Sequence, residues 1–122
     1  MTHATPAGAS AEAILDRFLA ACNRHDLPAA LAMTSNNCVF EAPAGGRSIG
    51  HTELEVAWKP MFDDPSSHVT VEESFTAGES FVSGTRVVQL WRYDWAHGQV
   101  RGVELVTVRD GLITEKLAYV KA

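Results

Sequence analysis

The stretch VRGVELVTVRDGLITEKLAYVK, Val100 to Lys121, decides how the rest of the chain reads. Two runs rich in β-branched and apolar residues, Val100 to Arg109 and Leu112 to Val120, flank Asp110-Gly111. Glycine takes the positive φ of a tight turn without steric cost, so this dipeptide predicts an antiparallel hairpin. Its register should pair residues whose numbers sum to about 221, setting Glu104 opposite Leu117. Toward the N-terminus, His97-Gly98 marks another turn, and Phe81 to Tyr93 and His68 to Phe75 read as two more strands.

The first half of the chain reads as helical. Met1 to Ser10 is small and polar, a loose tail, and residues 11–122 form one domain with one core. Ser10 is placed to cap a helix and Glu12 lies in its expected first turn, where a negative charge favours the helix dipole. Ile14, Leu15, Phe18, Leu19 and Cys22 then recur at helical spacing to about Arg24. Asp26 caps a second, shorter helix, with Pro28 in its first turn, and Asn36-Asn37 should stop it. Cys38 to Ala42 reads as a short strand broken by Pro43-Ala44-Gly45-Gly46. A third helix should run from Gly50 to about Phe62, with Leu54, Trp58, Met61 and Phe62 near one face and Pro60 kinking it or ending it early. Helices followed by a strand meander make an α+β arrangement.

A net charge of −5 and a pI near 5.4 argue against nucleic-acid and anionic-membrane partners, which need a basic surface. No apolar run approaches the ~20 residues that span a bilayer, and the start lacks the pattern of a signal peptide, so a cytoplasmic location is expected. Cys22 and Cys38 lie in apolar stretches and read as buried thiols. The five histidines show no HxH or HExxH spacing, so no metal site is expected, and His97 near Asp94 reads as a solvated turn, with a polar pair between the two as the alternative. No nucleophile triad order, phosphate loop or dinucleotide fingerprint is present. In Arg86 to Tyr93, Val87, Gln89, Trp91 and Tyr93 alternate with Arg86, Val88, Leu90 and Arg92. Both faces carry apolar groups, so one should take the helices and the other a second subunit, giving a homodimer.

The element order, together with the phrase GVELVTVRDG in the last hairpin, resembles the SnoaL-like branch of the NTF2-like superfamily. The resemblance implies an NTF2-like (cystatin-like) cone, with three N-terminal helices on a curved antiparallel sheet that encloses a deep apolar pocket. The branch includes polyketide cyclases, and the fold also serves ketosteroid isomerases and limonene-epoxide-hydrolase-like enzymes. The ketosteroid isomerase pattern can be laid on Asp16 to Ala42 and on Gln89 to Glu104. Its oxyanion-hole tyrosine then falls on Phe18 and its catalytic aspartate on Ala42, neither of which can move a proton, while its second acid falls on Glu104. Glu41, next to Ala42, is turned to the other face by strand alternation. A ketosteroid isomerase reaction is therefore not expected. Nor is an epoxide-hydrolase arrangement, because Arg101 and Glu104 are three apart on a strand and face opposite sides.

The resemblance turns Glu104 inward with Gly102, Val106 and Val108, and Lys116 inward with Ala118 and Val120. A carboxylate in an apolar pocket is suited to acid/base work near neutral pH. Alternation by itself equally allows Glu104 to face solvent or pair across the sheet. Lys116 is read either as its ion-pair partner or as a side chain reaching the rim without a role. Phe18, Phe40, Trp58, Phe62, Val87, Trp91 and Val106 are expected to line the pocket, and Gln89 or Tyr93 to hold a ligand carbonyl. The chemistry that fits is cofactor-independent isomerisation or cyclisation of a small apolar molecule bearing a carbonyl, with lyase or hydrolase reactions left open. The alternative is a non-catalytic module that binds a hydrophobic ligand or dimerises.

Overall fold

Ala11, Ile14, Leu15, Phe18, Ala21 and Cys22 bury one face of α1 (Ala7–Asn23), the stripe that the helical spacing marks out. The computed structural model describes residues 7–80 and 82–121, apart from the side chains of residues 7–10. Of the loose tail expected for Met1 to Ser10, Ala7 to Ser10 belong instead to α1, while Met1 to Pro6, like Phe81 as the opening of a strand, lie outside these residues. α1 begins at Ala7, earlier than the cap expected at Ser10. Glu12 is consequently beyond the first turn, and its Oε1 accepts a hydrogen bond from Ser74 Oγ at 2.7 Å.

α2 (Leu27–Ala32) is capped as expected: Asp26 Oδ1 accepts from Ala29 N at 3.1 Å, and Pro28 sits where no intrahelical N–H is needed. It stops before Asn36-Asn37, because Thr34 already belongs to β1 (Thr34–Glu41). Thr34 Oγ1 donates to Leu31 O at 2.7 Å, and Ile113 N donates to Met33 O at 2.8 Å, so the sheet claims the chain there. The two asparagines are exposed, within a register slip between Thr34 and Val39. The Pro43 to Gly46 turn leads into β2 (Arg47–Ile49), a short strand that the sequence pattern did not reveal. α3 (His51–Asp63) passes through Pro60 instead of ending there. The amide that Pro60 lacks would have bonded the carbonyl of Val56, and both residues are exposed, so no buried polar group is stranded.

The remaining strands are β3 (His68–Ser80), β4 (Gly84–Trp95), β5 (Gly98–Arg109) and β6 (Leu112–Val120). The six-stranded sheet has the order β2-β1-β6-β5-β4-β3. All neighbours run antiparallel except β1 and β6, which are parallel, so the sheet is mixed rather than wholly antiparallel. Register slips in β3, between Val71 and Glu73 and between Thr76 and Gly78, are bulges of the kind that bend a strand. The helices pack into the concave face, and Val87, Val106, Val108 and Ile113 from the sheet join α1 and α3 in the core.

The last hairpin corrects the expected register. Val108 pairs with Ile113 and Arg109 with Leu112, as the turn dictates, but Thr107 pairs with Glu115 and leaves Thr114 as an extra residue. Beyond this bulge Glu104 lies opposite Ala118, not Leu117. The consequence for side-chain direction is large. Directly paired residues share a face, so the expected register would have put Lys116 on the face opposite Glu104. The bulge restores both to the concave side, where Ile113, Lys116 and Ala118 are buried.

Candidate functional site

Between α1, α3 and the concave sheet lies a cavity of about 270 Å³. That is just below the ~300–1,000 Å³ usual for small-molecule sites, so it suits a small ligand. Phe18, Phe40 and Trp58 form one wall: the Trp58 ring meets Phe18 edge-on at 5.5 Å and Phe40 edge-on at 5.6 Å. Phe62 completes the α3 side, while Trp91 and Tyr93 from β4 and Ala118 and Val120 from β6 form the sheet side. Val87 and Val106, expected in the lining, do not reach the cavity. Each is fully buried in the core.

Glu104 and Lys116 are the charged groups of this wall. Lys116 Nζ stands 3.0 Å from Glu104 Oε2, with the two side chains only 8% and 17% exposed. The same ammonium lies 4.9 Å above the Phe18 ring, so the residue that takes the place of a tyrosine in the ketosteroid isomerase pattern supports a cation instead. Lys116 is thus an inward ion-pair partner and not a rim residue. Glu41, by contrast, faces away and pairs with Arg47 at 3.0 Å, as alternation requires. Arg101 bonds Glu72 on the outer face, apart from Glu104.

Gln89 lies directly across from Glu104 in the β4–β5 register, and its Nε2 donates to Ser74 Oγ at 3.2 Å. One amide proton and the amide oxygen remain for a ligand. Tyr93 stacks on Trp95 at 5.4 Å; burial pushes its hydroxyl above the ordinary range, the Asp64 carboxylate adds to this, and a hydrogen bond with Ser67 opposes it. Trp91 lies against Gly102, where a Cβ would collide with the indole ring and with the Tyr119 carbonyl. Its Nε1 is the one buried side-chain polar atom without a partner among the described residues. Asp94 is not paired with His97. It accepts from Arg92 Nε at 2.9 Å and Gln99 Nε2 at 2.8 Å, and these bonds hold its carboxyl below the usual range.

Several lining residues escaped the sequence reading. Leu15, Leu19 and Cys22 come from the marked stripe of α1, and Met61 from the marked face of α3; they could have been proposed from spacing alone. Val69 and Val71 from the edge strand β3, Pro43 from the β1–β2 turn and Val100 from β5 gave no such signal, because strand curvature brings them in. The Cys22 thiol is pushed up to about 12 by burial, with nearby Lys116 opposing the shift, so it is a neutral part of the wall. Cys38, in the core, is raised to about 11 for the same reason.

No helix among the described residues is long and apolar enough to cross a membrane. No curated protein matches the chain. Among solved structures, an NTF2-like protein of unknown function from Mesorhizobium loti is 33% identical, with 98% of each chain covered and a TM-score of 0.80. A candidate polyketide cyclase from Xanthomonas campestris has 19% identity over 93% of this chain and 92% of that one, with a TM-score of 0.70. A candidate ketosteroid isomerase from Kribbella flavida has 14% identity over 94% and 80%, with a TM-score of 0.76. At those identities the last two share the fold alone. The model of the SnoaL-like domain matches residues 15–116, which takes in most of the α1 stripe, most of the cavity wall and both members of the ion pair. By that match and by its cone of helices on a curved sheet, the chain belongs to the SnoaL-like family of NTF2-like proteins.

Proposed function

We propose that this chain is a cofactor-independent isomerase or cyclase that moves a proton next to the carbonyl of a small apolar substrate, with Glu104 as the base. The observation that carries this reading is the Glu104–Lys116 pair set in the wall of an otherwise apolar cavity. A buried ion pair contributes little net stability, since apolar residues of similar volume hold such a position as well or better. Its value here is chemical. The carboxylate can accept a proton from carbon, and the ammonium, which carries three donors, can stabilise the oxygen that gains charge. Gln89, opposite Glu104, supplies a second donor to that oxygen.

Incubation with an apolar ketone such as 1-tetralone in D₂O, followed by NMR of the α-hydrogens, tests it. Wild-type protein should catalyse exchange, and Glu104→Gln should reduce the rate by about 100-fold or more, the usual contribution of a general base. Equal exchange by both proteins would sink the assignment.

A second reading, a non-catalytic hydrophobic-ligand module, is favoured by Phe18, which brings no hydroxyl to the wall, and by Ala42, which has no proton to give. Saturable ketone binding without exchange would support it. The homodimer belongs to either reading. Phe75, Val88, Leu105 and Leu117 are consecutive cross-strand partners on the outer face, and Phe75 is half exposed. Sedimentation of wild type and Phe75→Glu should give a dimer and a monomer respectively; a monomeric wild type would overturn it.

A further inference from the structure

The chain has three lysines, and only Lys116 is inside: Lys59 and Lys121 are exposed, while the Lys116 side chain is 8% exposed and borders the cavity. Its amine is held between the Phe18 ring and Glu104 Oε2, the latter at 3.0 Å. A nucleophile and a base within about 2.6–3.2 Å of each other, in a site where substrate can reach both, is the arrangement that activates a nucleophile. The ion pair already in place, Nζ to Oε2 at 3.0 Å, is the path by which Nζ can lose a proton to the carboxylate. The apolar lining assists, because the shortage of water favours a product of dehydration.

We infer that Lys116 is a nucleophile that forms an imine with the bound substrate, so that the site takes aldehydes and ketones in preference to esters or amides. This inference rests on the proton-transfer reading of the same site and deepens it. Lys116 first passes one proton to Glu104. The amine then forms the C–N bond to the carbonyl carbon while the π electron pair moves to oxygen. Glu104 returns its proton to that oxygen, accepts a second proton from nitrogen, and delivers it as the C–O bond breaks and water leaves. The balance is R₂C=O plus Lys–NH₃⁺ giving R₂C=NH⁺–Lys plus H₂O, with Glu104 again a carboxylate. The iminium withdraws electrons more strongly than the carbonyl it replaces. Glu104, freed of its protons and still beside the substrate, is then the base for the adjacent C–H.

Reductive trapping decides the matter. The protein is incubated with 2-naphthaldehyde and sodium cyanoborohydride at neutral pH, and the lysines are mapped by peptide mass spectrometry. Lys116 should be converted at least 10-fold faster than Lys59 and Lys121, which serve as internal controls in the same chain. Glu104→Gln should slow its conversion at least 10-fold. Lys116→Arg, which keeps a cation for Glu104, should show no adduct at position 116. Labelling of Lys59 and Lys121 with Lys116 left unmodified in the folded wild type would overturn the inference. Exchange of 1-tetralone hydrogens without an adduct would remove the imine and leave proton transfer standing. An adduct without exchange would keep the imine and remove the isomerase reading, and absence of both would end the two together.

Discussion

Lys116 reaches Glu104 diagonally across β5 and β6, Nζ to Oε2 at 3.0 Å, and the one-residue slip at Thr114 sets both side chains on the concave face. Diagonal cross-strand neighbours lie about 7–8 Å apart at the backbone, a span that long side chains close. Val106, directly paired with Lys116, and Ala118, directly paired with Glu104, are too small to block the contact. The pair is therefore a product of register and of small neighbours together.

Because each charge neutralises the other in a desolvated setting, removing one should cost far more than removing both. Lys116→Met or Glu104→Leu alone should each lose about 3–5 kcal/mol, the usual result of leaving a buried charge unpaired. The double variant should return to within about 1 kcal/mol of wild type, or exceed it. Urea unfolding of the four proteins checks this, and losses that simply add would show that the two groups do not act as a pair.

Asn23 ties the end of α1 to the edge strand beside the cavity. Its Nδ2 donates to Val69 O and its Oδ1 accepts from Val69 N, both at 2.8 Å. Asn23→Ala should cost about 2 kcal/mol for the two bonds, and the Val69 amide should lose its protection from hydrogen exchange while amides of β5 keep theirs. Unchanged protection at Val69 would show that the strand is held by other contacts.

Gly102 is required by close approach, since a Cβ there would strike both the Trp91 ring and the Tyr119 carbonyl. Gly102→Ala should destabilise the protein by about 3 kcal/mol, the upper part of the range for overpacking, and shift the Trp91 fluorescence. Trp91→Leu in the same background should recover part of the loss in thermal melting, because the ring is one of the two obstacles.

Stability should fall in alkali through the buried thiols. In the folded protein Cys22 holds its proton up to about 12 and Cys38 up to about 11, against an ordinary value of 9.0. Below pH 9 both states are protonated and the thiols contribute no pH dependence. Above it the unfolded chain binds fewer protons than the native one, so unfolding becomes easier, by up to about 1.4 kcal/mol per pH unit for each thiol until the folded value is reached. The fall in urea midpoint from pH 8 to pH 10.5 should therefore be smaller in Cys22→Ala than in wild type. Neither thiol should react with a disulfide reagent at pH 8 without denaturant.

The sequence by itself determined the α+β order, the buried stripe of α1, the capped start of α2 and the Asp110-Gly111 hairpin, because each is a local signal of period, cap or turn. It also identified Glu104, Lys116 and the aromatic wall as the residues worth placing, although alternation names two faces without saying which is inward. Only the tertiary structure decided that. The bulge at Thr114, the passage of α3 through Pro60, the entry of Asn36 and Asn37 into β1 and the pairing of β2 depend on partners distant in the chain. The same holds for the lining contributed by Val69, Val71 and Val100, which the curvature of the sheet brings to the cavity. Local propensity sets what a segment can form. Burial of Ile113, Lys116 and Ala118 on one face, against helices far earlier in the chain, selects the register in which it forms.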